Sequence, residues 1–365
     1  MRLTFACLIA ACALTACQPT STPAIDLPPA RAQIITATPS PEATPSETTP
    51  PASATPQRDI LFPYTIAGLR ERNYPSGEIQ VGEPLVVIDS YTRYPIHYTS
   101  DGLTITGILQ IPPGDGPFPV ILLNHGYFNR AEYRSGDGTD RLAEFLNQRG
   151  YLTLSSDYRG WSGSDAGPSL FHTGLVVDVM HLLRAIPSVP QADPGRVGML
   201  GHSMGGGITT KILTLGVDLR AAVLYAPNSA DDADLIARWG YGCISDINPS
   251  QCNSADMLPA TLPAELLDAY RQAALDPLQM REIAPIYHLD DIHIPVQIHI
   301  GEADGDYIGS TPPEWSYKLY DAMREAGVPV ELVRYPGQRH SFTGQSRDLF
   351  LERVAVFFDQ NVKNP

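Results

Sequence analysis

The sequence predicts an α/β protein built on a mostly parallel central sheet with helices on both faces. Short β-type runs and longer helical patterns alternate from about residue 100 almost to the C-terminus. This alternation is typical of parallel strands joined by helical crossovers. Hydrophobic residues make up 43% of the 365 residues, which is enough for a large core and excludes a wholly disordered chain.

The β-type runs are short and apolar, and turn residues bound them. The helical runs carry apolar residues at three- and four-residue intervals, and the first one stops near Gly150, a candidate C-cap. The predicted strands are 85–88, 103–111, 120–124, 151–155, 196–200, 221–225, 296–300 and 330–335. The predicted helices are 140–149, 174–186, 205–215, 313–326 and 347–361.

The alternation lapses between about residues 228 and 292. A segment of this length is too long for a simple connection, so we expect a cap inserted into a domain that spans residues 58–365. A helical pattern lies near residues 264–275 of this segment. Cys243 and Cys252 also belong to it, and in an exported protein we expect them to form a disulfide.

The N-terminus has the features of an export signal over residues 1–16. A single Arg2 precedes the apolar run 3–16, which is shorter than the roughly 20 residues of a membrane-spanning helix. The run ends in Leu14-Thr15-Ala16-Cys17, which resembles the bacterial lipobox. The resemblance implies that Cys17 carries a lipid anchor; an ordinary signal peptide is the alternative. We therefore expect a membrane-anchored lipoprotein on the outer, extracytoplasmic face.

Residues 17–57 are predicted to be a disordered tether behind that anchor. Ten of the 34 prolines lie within residues 18–57, together with eight threonines and four serines. Such a composition buries too little apolar surface to offset the entropy of ordering.

The charge balance argues against a nucleic-acid partner. The chain has 25 Lys and Arg against 40 Asp and Glu, for a formal net charge of −15. Phosphate backbones are bound by clustered basic residues, so this class of function is excluded.

A G-x-S-x-G motif, Gly201-His202-Ser203-Met204-Gly205, lies between a predicted strand and a predicted helix. A sharp strand-to-helix turn strains the serine backbone, and the two glycines remove Cβ atoms that would clash in it. The turn presents the serine hydroxyl above the sheet edge. Ser203 is therefore the candidate nucleophile, since a tight turn with a merely structural serine would not require the strand and helix around it.

At this motif the chain resembles the α/β-hydrolase superfamily, over residues 100–360. The superfamily orders its triad as serine, acid, histidine. Gly301-Glu302-Ala303-Asp304 is similar to the G-x-x-D that follows its late strand, and the loop 336–342 is similar to its histidine loop. The resemblance implies Asp304 as the acid and His340 as the base, both just beyond the carboxyl ends of strands. Asp306 is the second candidate acid, and Asp231 or Asp232 the third.

The resemblance also implies an oxyanion hole from two backbone N–H groups. One belongs to Met204, directly after the nucleophile. The other is assigned to Tyr127, because His125-Gly126-Tyr127 is similar to the H-G-x segment of the superfamily. In prolyl-oligopeptidase-type members a tyrosine hydroxyl serves near this loop, so a side-chain role for Tyr127 stays open beside simple packing.

The segment 157–164 is similar to one found in prolyl-oligopeptidase-type and dienelactone-hydrolase-like members. We expect Asp157 and Arg159 to form an ion pair that braces the oxyanion loop, with Trp161 as a candidate pocket wall. His125, His202, His293 and His299 are expected to be structural, and His288, His293 and His299 have ligand-like side chains. Nothing in their spacing requires a metal, and no cofactor is expected.

These features predict an exported serine hydrolase that cleaves a small-molecule carboxylic ester through an acyl-enzyme. A serine peptidase of prolyl-oligopeptidase-like kind, acting on a short peptide, is the alternative, and a non-catalytic binding lipoprotein is the more remote one. The acids Asp231, Asp232 and Asp234 offer a site for a substrate amine, although a solvated acidic loop is the more ordinary interpretation. The oligomeric state is left open.

Overall fold

The computed structural model describes residues 59–240 and 262–364. Several expectations fall outside these residues: the export signal 1–16, the lipidated Cys17, the tether 17–57, and the disulfide between Cys243 and Cys252. They stay predictions.

Ten strands of the described residues form one mixed sheet in the order β1-β3-β4-β6-β5-β7-β8-β9-β10, with β2 also paired to β3. The six strands from β6 to β10 along this order are mutually parallel. The pairings that involve β1 to β4 are antiparallel. The strands are β1 Gln80–Val81, β2 Val86–Ile88, β3 Tyr91–Ser100, β4 Leu103–Ile111, β5 Phe118–Asn124, β6 Leu152–Ser156, β7 Ala192–His202, β8 Ala221–Tyr225, β9 Val296–Gly301 and β10 Val330–Tyr335.

Helices cover both faces of the sheet. One apolar cluster joins the sheet to α3, α4 and α8 through Leu175, Ile208 and Leu319. The opposite cluster joins it to α2 and α9 through Leu146 and Phe358, as the alternating pattern predicts. The helices are α1 Ile66–Glu71, α2 Asp140–Asn147, α3 Thr173–Ala185, α4 Met204–Leu213, α5 Asp232–Leu235, α6 Ala264–Ala273, α7 Pro277–Ile283, α8 Pro313–Glu325 and α9 Gly344–Phe358.

The predicted α/β class and mostly parallel sheet are confirmed. The predicted strands omit β3, the longest strand outside the parallel half. Strand β3 carries Arg93, Pro95 and His97, which interrupt an apolar pattern, and proline is unusual inside a sheet. The register explains its tolerance. On one side β1 pairs with Ile96 and His97 and β2 pairs with residues 91–93, so Pro95 falls in the gap between the two ladders.

The segment between β8 and β9 contains α5, α6 and α7. Helices α6 and α7 share a third apolar cluster with Ile236, just after α5, and with Leu170 and Phe171, just before α3. Phe171 packs on Tyr270 of α6 with ring centroids 4.7 Å apart. The stretch Leu170–Ser188 is long and apolar enough to cross a membrane, but 78% of it is buried in the domain. It is therefore accounted for as a core helix of this fold.

Candidate active site

Ser203 lies in a strained turn between β7 and α4. Its backbone has φ 56° and ψ −120°, a conformation that residues with a Cβ seldom adopt. A Cβ on Gly201 would overlap the carbonyl oxygen of Gly205, and one on Gly205 would overlap that of Asn124. Both glycines of the motif are thus required by close backbone approach, for the reason that the motif predicts.

Asp304 and His340 meet beyond the ends of β9 and β10. His340 Nδ1 lies 2.8 Å from Asp304 Oδ2, and both side chains are buried. A carboxylate accepts, so this bond places the proton on Nδ1 and leaves Nε2 as the acceptor. Ser203 and His340 line the same cavity.

Two further groups hold Asp304. The Thr311 hydroxyl lies 2.9 Å from Oδ2, and the backbone N–H of Gly305 donates to Oδ1 at 2.8 Å. Sequence reasoning missed Thr311, because a threonine in the loop after β9 carries no motif. Its hydroxyl also lies 3.1 Å from the carbonyl oxygen of Ala226, so it ties the acid loop to the end of β8.

The alternative acids have other partners. Asp306 pairs with Arg339 at 3.0 Å. Asp231 lies 2.7 Å from Lys318 Nζ, and Asp232 lies 3.2 Å from Lys211 Nζ. Of the four candidates, Asp304 is the one that the structure brings to His340.

His202 braces the histidine loop. Its Nε2 donates to the backbone carbonyl of His340 at 3.2 Å, and the two rings lie 4.8 Å apart. Burial and the neighbouring His340 lower the pKa of His202 to about 3, so the ring is neutral at neutral pH. This agrees with the expected structural role.

The loop after β5 approaches the nucleophile closely. A Cβ on Gly126 would lie 3.1 Å from Ser203 Cβ, and Gly126, Tyr127 and Met204 all line the cavity beside Ser203. Met204 is the first residue of α4, so its N–H is one of the donors that a helix leaves unpaired at its N-terminus. The oxyanion assignment to the Met204 and Tyr127 N–H groups stays a prediction.

The expected ion pair between Asp157 and Arg159 is wrong. Asp157 accepts from three neutral hydroxyls, those of Thr106, Tyr133 and Ser135, at 2.6–2.9 Å. Arg159 instead binds the fully buried Asp178 of α3, with Nη2 2.8 Å from Oδ1 and Nε 3.0 Å from Oδ2. Sequence reasoning missed this pairing, because Asp178 lies in an apolar helix 19 residues later.

Trp161 does not line the cavity. It is fully buried, and its Nε1 donates to the carbonyl of Phe128 at 2.9 Å. Its ring meets that of Tyr127 edge-on at 6.3 Å, so it supports a residue of the cavity wall. His125 is likewise buried, stacked between Tyr133 and Tyr158 at 4.6 and 4.3 Å, and burial lowers its pKa.

The cavity above Ser203 has a volume of about 370 Å³. Its wall is mainly aromatic, and a few polar side chains interrupt it; such a lining is typical of small-molecule sites. The aromatic residues are Tyr127, Phe128, Phe171, Trp239, Tyr270 and Tyr307. Besides Ser203, His202, His340 and Ser341, the polar lining residues are Ser169, His172, Asn228 and Asp232.

The acids after β8 already have lysine partners. Lys318 binds Asp231 at 2.7 Å and Asp234 at 3.0 Å. Lys211 binds Asp232 inside the protein. Within residues 59–240 and 262–364 no group of three His, Cys, Asp or Glu side chains is placed to hold a metal ion. His299, on β9, hydrogen-bonds to Tyr335 and Gln297 instead.

Comparisons with known proteins agree with this architecture. A family model described as "Alpha/beta hydrolase family" matches residues 120–353. The chain is similar to the lysophosphatidylserine lipase ABHD12 of Xenopus tropicalis, with 36% identity over 96 residues, which is 26% of this chain and 23% of that relative. The match therefore spans less than a quarter of that relative's length.

Two solved structures share the fold. Acetyl xylan esterase 1 from Thermoanaerobacterium sp. has a TM-score of 0.54 and 18% identity, covering 76% of this chain and 87% of its own. A puromycin-hydrolyzing peptidase of Mycobacterium tuberculosis has a TM-score of 0.58 and 21% identity, covering 76% of this chain and 40% of its own.

Proposed function

The chain belongs to the alpha/beta hydrolase family, and from this premise we propose that it is a serine hydrolase acting through an acyl-enzyme at Ser203. One observation carries the proposal. The strained serine and the Asp304–His340 pair, joined at 2.8 Å, come from three separate loops and meet at one cavity. A structural serine does not require a buried acid–histidine pair beside it.

In the proposed reaction the Ser203 hydroxyl attacks the ester carbonyl while His340 Nε2 accepts its proton. Asp304 keeps the proton on Nδ1 and stabilises the imidazolium that forms. The Met204 and Tyr127 N–H groups bind the oxyanion. His340 then donates the proton to the leaving alcohol, and water attacks the acyl-enzyme by the same sequence of proton transfers.

A small carboxylic ester is the proposed substrate. The mostly aromatic cavity of about 370 Å³ favours an apolar acyl group. Recognition of a peptide amine would need an uncommitted carboxylate, yet Asp231 and Asp234 are held by Lys318, and Asp232 by Lys211. A short peptide remains the second candidate, favoured by the resemblance of segment 157–164 to that of prolyl-oligopeptidase-type members.

A fluorophosphonate probe tests the nucleophile. The wild-type protein should be labelled at Ser203, and Ser203→Ala should abolish the labelling. Ser341 lines the same cavity and is the matched control, so Ser341→Ala should still be labelled. Absence of labelling in the wild type, or labelling that survives Ser203→Ala, would contradict the proposal.

A substrate panel tests the ester assignment. Comparison of kcat/KM for short 4-nitrophenyl esters with that for aminoacyl and prolyl arylamides should favour the esters. Activity confined to the arylamides would replace the esterase by the peptidase.

We also propose that the protein is exported and anchored through Cys17, on the basis of the lipobox resemblance. Cys17→Ser should move the protein from the membrane fraction to the soluble fraction, because an acyl chain is the proposed anchor. Cys12→Ser, within the same apolar run, is the matched control and should not. Unchanged partitioning of Cys17→Ser would contradict the anchor.

A further inference from the structure

One face of α4 packs against residues that line the cavity. Ser203, Gly207 and Lys211 are spaced by four residues, so they lie on the same side of the helix, one per turn. A Cβ on Gly207 would overlap Asn228 Oδ1, so the glycine makes room for Asn228. One turn later, Lys211 Nζ binds Asp232 at 3.2 Å. Asn228 and Asp232, which line the cavity, thus pack against α4 one and two turns beyond Ser203, and the second turn lies roughly 12 Å from the serine along the helix axis. We call the part of the lining at Asp232 the distal wall.

His172 stands at this distal wall, next to Phe171, whose carbonyl accepts from Lys211 Nζ at 2.9 Å. Burial and the nearby charge of Lys211 lower the pKa of His172 to about 3, so the imidazole is neutral at neutral pH. Among the described residues neither ring nitrogen has a hydrogen-bond partner, and His172 is only partly buried. The neutral ring thus has one donor and one acceptor for a group bound in the cavity that it lines.

The backbone at His172 is conformationally strained. Phe171 has φ 51° and His172 has φ 60°, so two consecutive non-glycine residues adopt the left-handed region, which is seldom occupied. The Lys211 bond to Phe171, together with the Phe171–Tyr270 packing at 4.7 Å, stabilises this arrangement. The structure therefore fixes the imidazole against the cavity rather than leaving it in a relaxed loop.

The charges at the distal wall balance each other, which favours a neutral group of the substrate there. Lys211 and Asp232 form a buried pair with no net charge. A cationic substrate group would lie near Lys211 and an anionic one near Asp232, and both would lose hydration without a dedicated partner. A hydroxyl suits the wall, because it can donate to a remaining lone pair of Asp232 or to the imidazole and accept from the imidazole N–H.

We infer that the distal wall of the cavity, formed by His172 and Asp232, recognises a hydroxyl at the far end of the substrate's acyl group. This inference rests on the proposed esterase function and names its substrate class: esters of acids that carry a terminal hydroxyl. The hydroxyl belongs to a phenol ring packed among Phe128, Phe171 and Tyr270, or to an extended alkyl chain.

Two pairs of 4-nitrophenyl esters distinguish these sources in the full chain. The phenolic pair is 3-(4-hydroxyphenyl)propanoate and 3-(4-methylphenyl)propanoate; the aliphatic pair is 8-hydroxyoctanoate and nonanoate. In at least one pair the hydroxyl ester should have a kcat/KM about tenfold higher, the effect of one buried hydrogen bond. If neither pair shows a higher kcat/KM for its hydroxyl ester, the inference is overturned.

Substitution of His172 tests the wall itself through the ratio of hydroxyl to methyl ester. In His172→Phe the ratio should fall to about two or less, because the ring nitrogens are lost. His172→Asn tolerates the left-handed backbone and keeps a donor and an acceptor, so it should retain a larger ratio than the Phe variant. The exposed His293 is the matched control, and His293→Phe should leave the ratio unchanged.

The outcomes separate this inference from the proposed function. A substitution at His172 that slows both esters equally indicates a structural role alone and overturns the assignment. Hydrolysis of 4-nitrophenyl acetate through Ser203 without any hydroxyl preference overturns the inference and leaves the esterase standing. No ester hydrolysis and no fluorophosphonate labelling would overturn both.

Discussion

Two buried carboxylates flank the cavity, and their partners differ. Asp304 binds His340, a threonine hydroxyl and a backbone N–H. Asp232 is neutralised by Lys211. A carboxylate held by neutral donors keeps its charge available to stabilise an imidazolium, whereas one paired with a lysine has none to spare. We therefore expect the reaction at the end of the cavity near Asp304, the chemical end, and recognition of the substrate by shape and polarity at the distal wall near Asp232.

The largest effect is expected at the chemical end. Asp304→Asn should lower kcat for 4-nitrophenyl acetate by about 10³- to 10⁴-fold, because the amide no longer holds the productive tautomer of His340. The matched control is Asp306→Asn: Asp306 pairs with Arg339 at the surface, and its loss should change kcat less than about twofold. Equal losses in the two variants would mean that the acid has been misassigned.

At the distal wall, removing the cation that pairs with Asp232 should lower the stability of the protein. Lys211→Met leaves Asp232 buried without its cation, and the free energy of unfolding in urea should fall by about 3–5 kcal/mol. Lys318 is 43% exposed, so Lys318→Met should cost about 1 kcal/mol or less. The double variant Lys211→Met, Asp232→Leu should recover most of the loss. A loss below about 1 kcal/mol in Lys211→Met would show that Asp232 has another source of stabilisation.

A buried histidine away from the cavity should make the stability of the protein depend on pH. Burial, with Arg353 nearby, lowers the pKa of His299 from 6.5 to about 3 in the folded protein. The unfolded chain therefore binds a proton between these values that the folded one does not, so stability is highest above pH 6.5 and falls as the pH drops towards 3. From pH 7 to pH 5 this histidine should contribute a loss of about 2 kcal/mol.

Urea unfolding at the two pH values measures this loss. In His299→Gln the loss of unfolding free energy from pH 7 to pH 5 should be about 2 kcal/mol smaller than in the wild type, since glutamine does not titrate. His293→Gln, at an exposed position, is the control and should behave as the wild type. If the His299 variant keeps the full pH dependence, the acid sensitivity arises elsewhere.

The sequence predicted the chemical end better than the distal wall, for a physical reason. The strained turn at Ser203 needs Gly201 and Gly205 because the backbone approaches too closely for a Cβ. This requirement therefore produces a local sequence motif. Asp304 and His340 follow strands at recognisable loops. The fold class followed in the same way, because strand and helix periodicities are local.

The distal wall depends on pairs that are distant in sequence. Lys211 lies in α4 and Asp232 at the start of α5, 21 residues away, and no local pattern indicates that they meet. The pairing of Arg159 with Asp178 is similar: a charged residue inside an apolar helix gives no sign of its partner. Long-range electrostatic pairing is set by the packing of elements, which periodicity does not specify.

The smallest predicted effect concerns the support of Asp304. Thr311 is buried, and its hydroxyl reaches the acid from the loop before α8. Thr311→Val keeps the shape but removes this donor, so kcat for 4-nitrophenyl acetate should fall about fivefold to tenfold, the effect of one buried hydrogen bond. Thr311→Ser keeps the hydroxyl and should stay within about twofold of the wild type. A loss in the serine variant as large as in the valine variant would show that the methyl group, and not the hydrogen bond, positions the acid; no loss in either would show that Gly305 and His340 hold Asp304 by themselves.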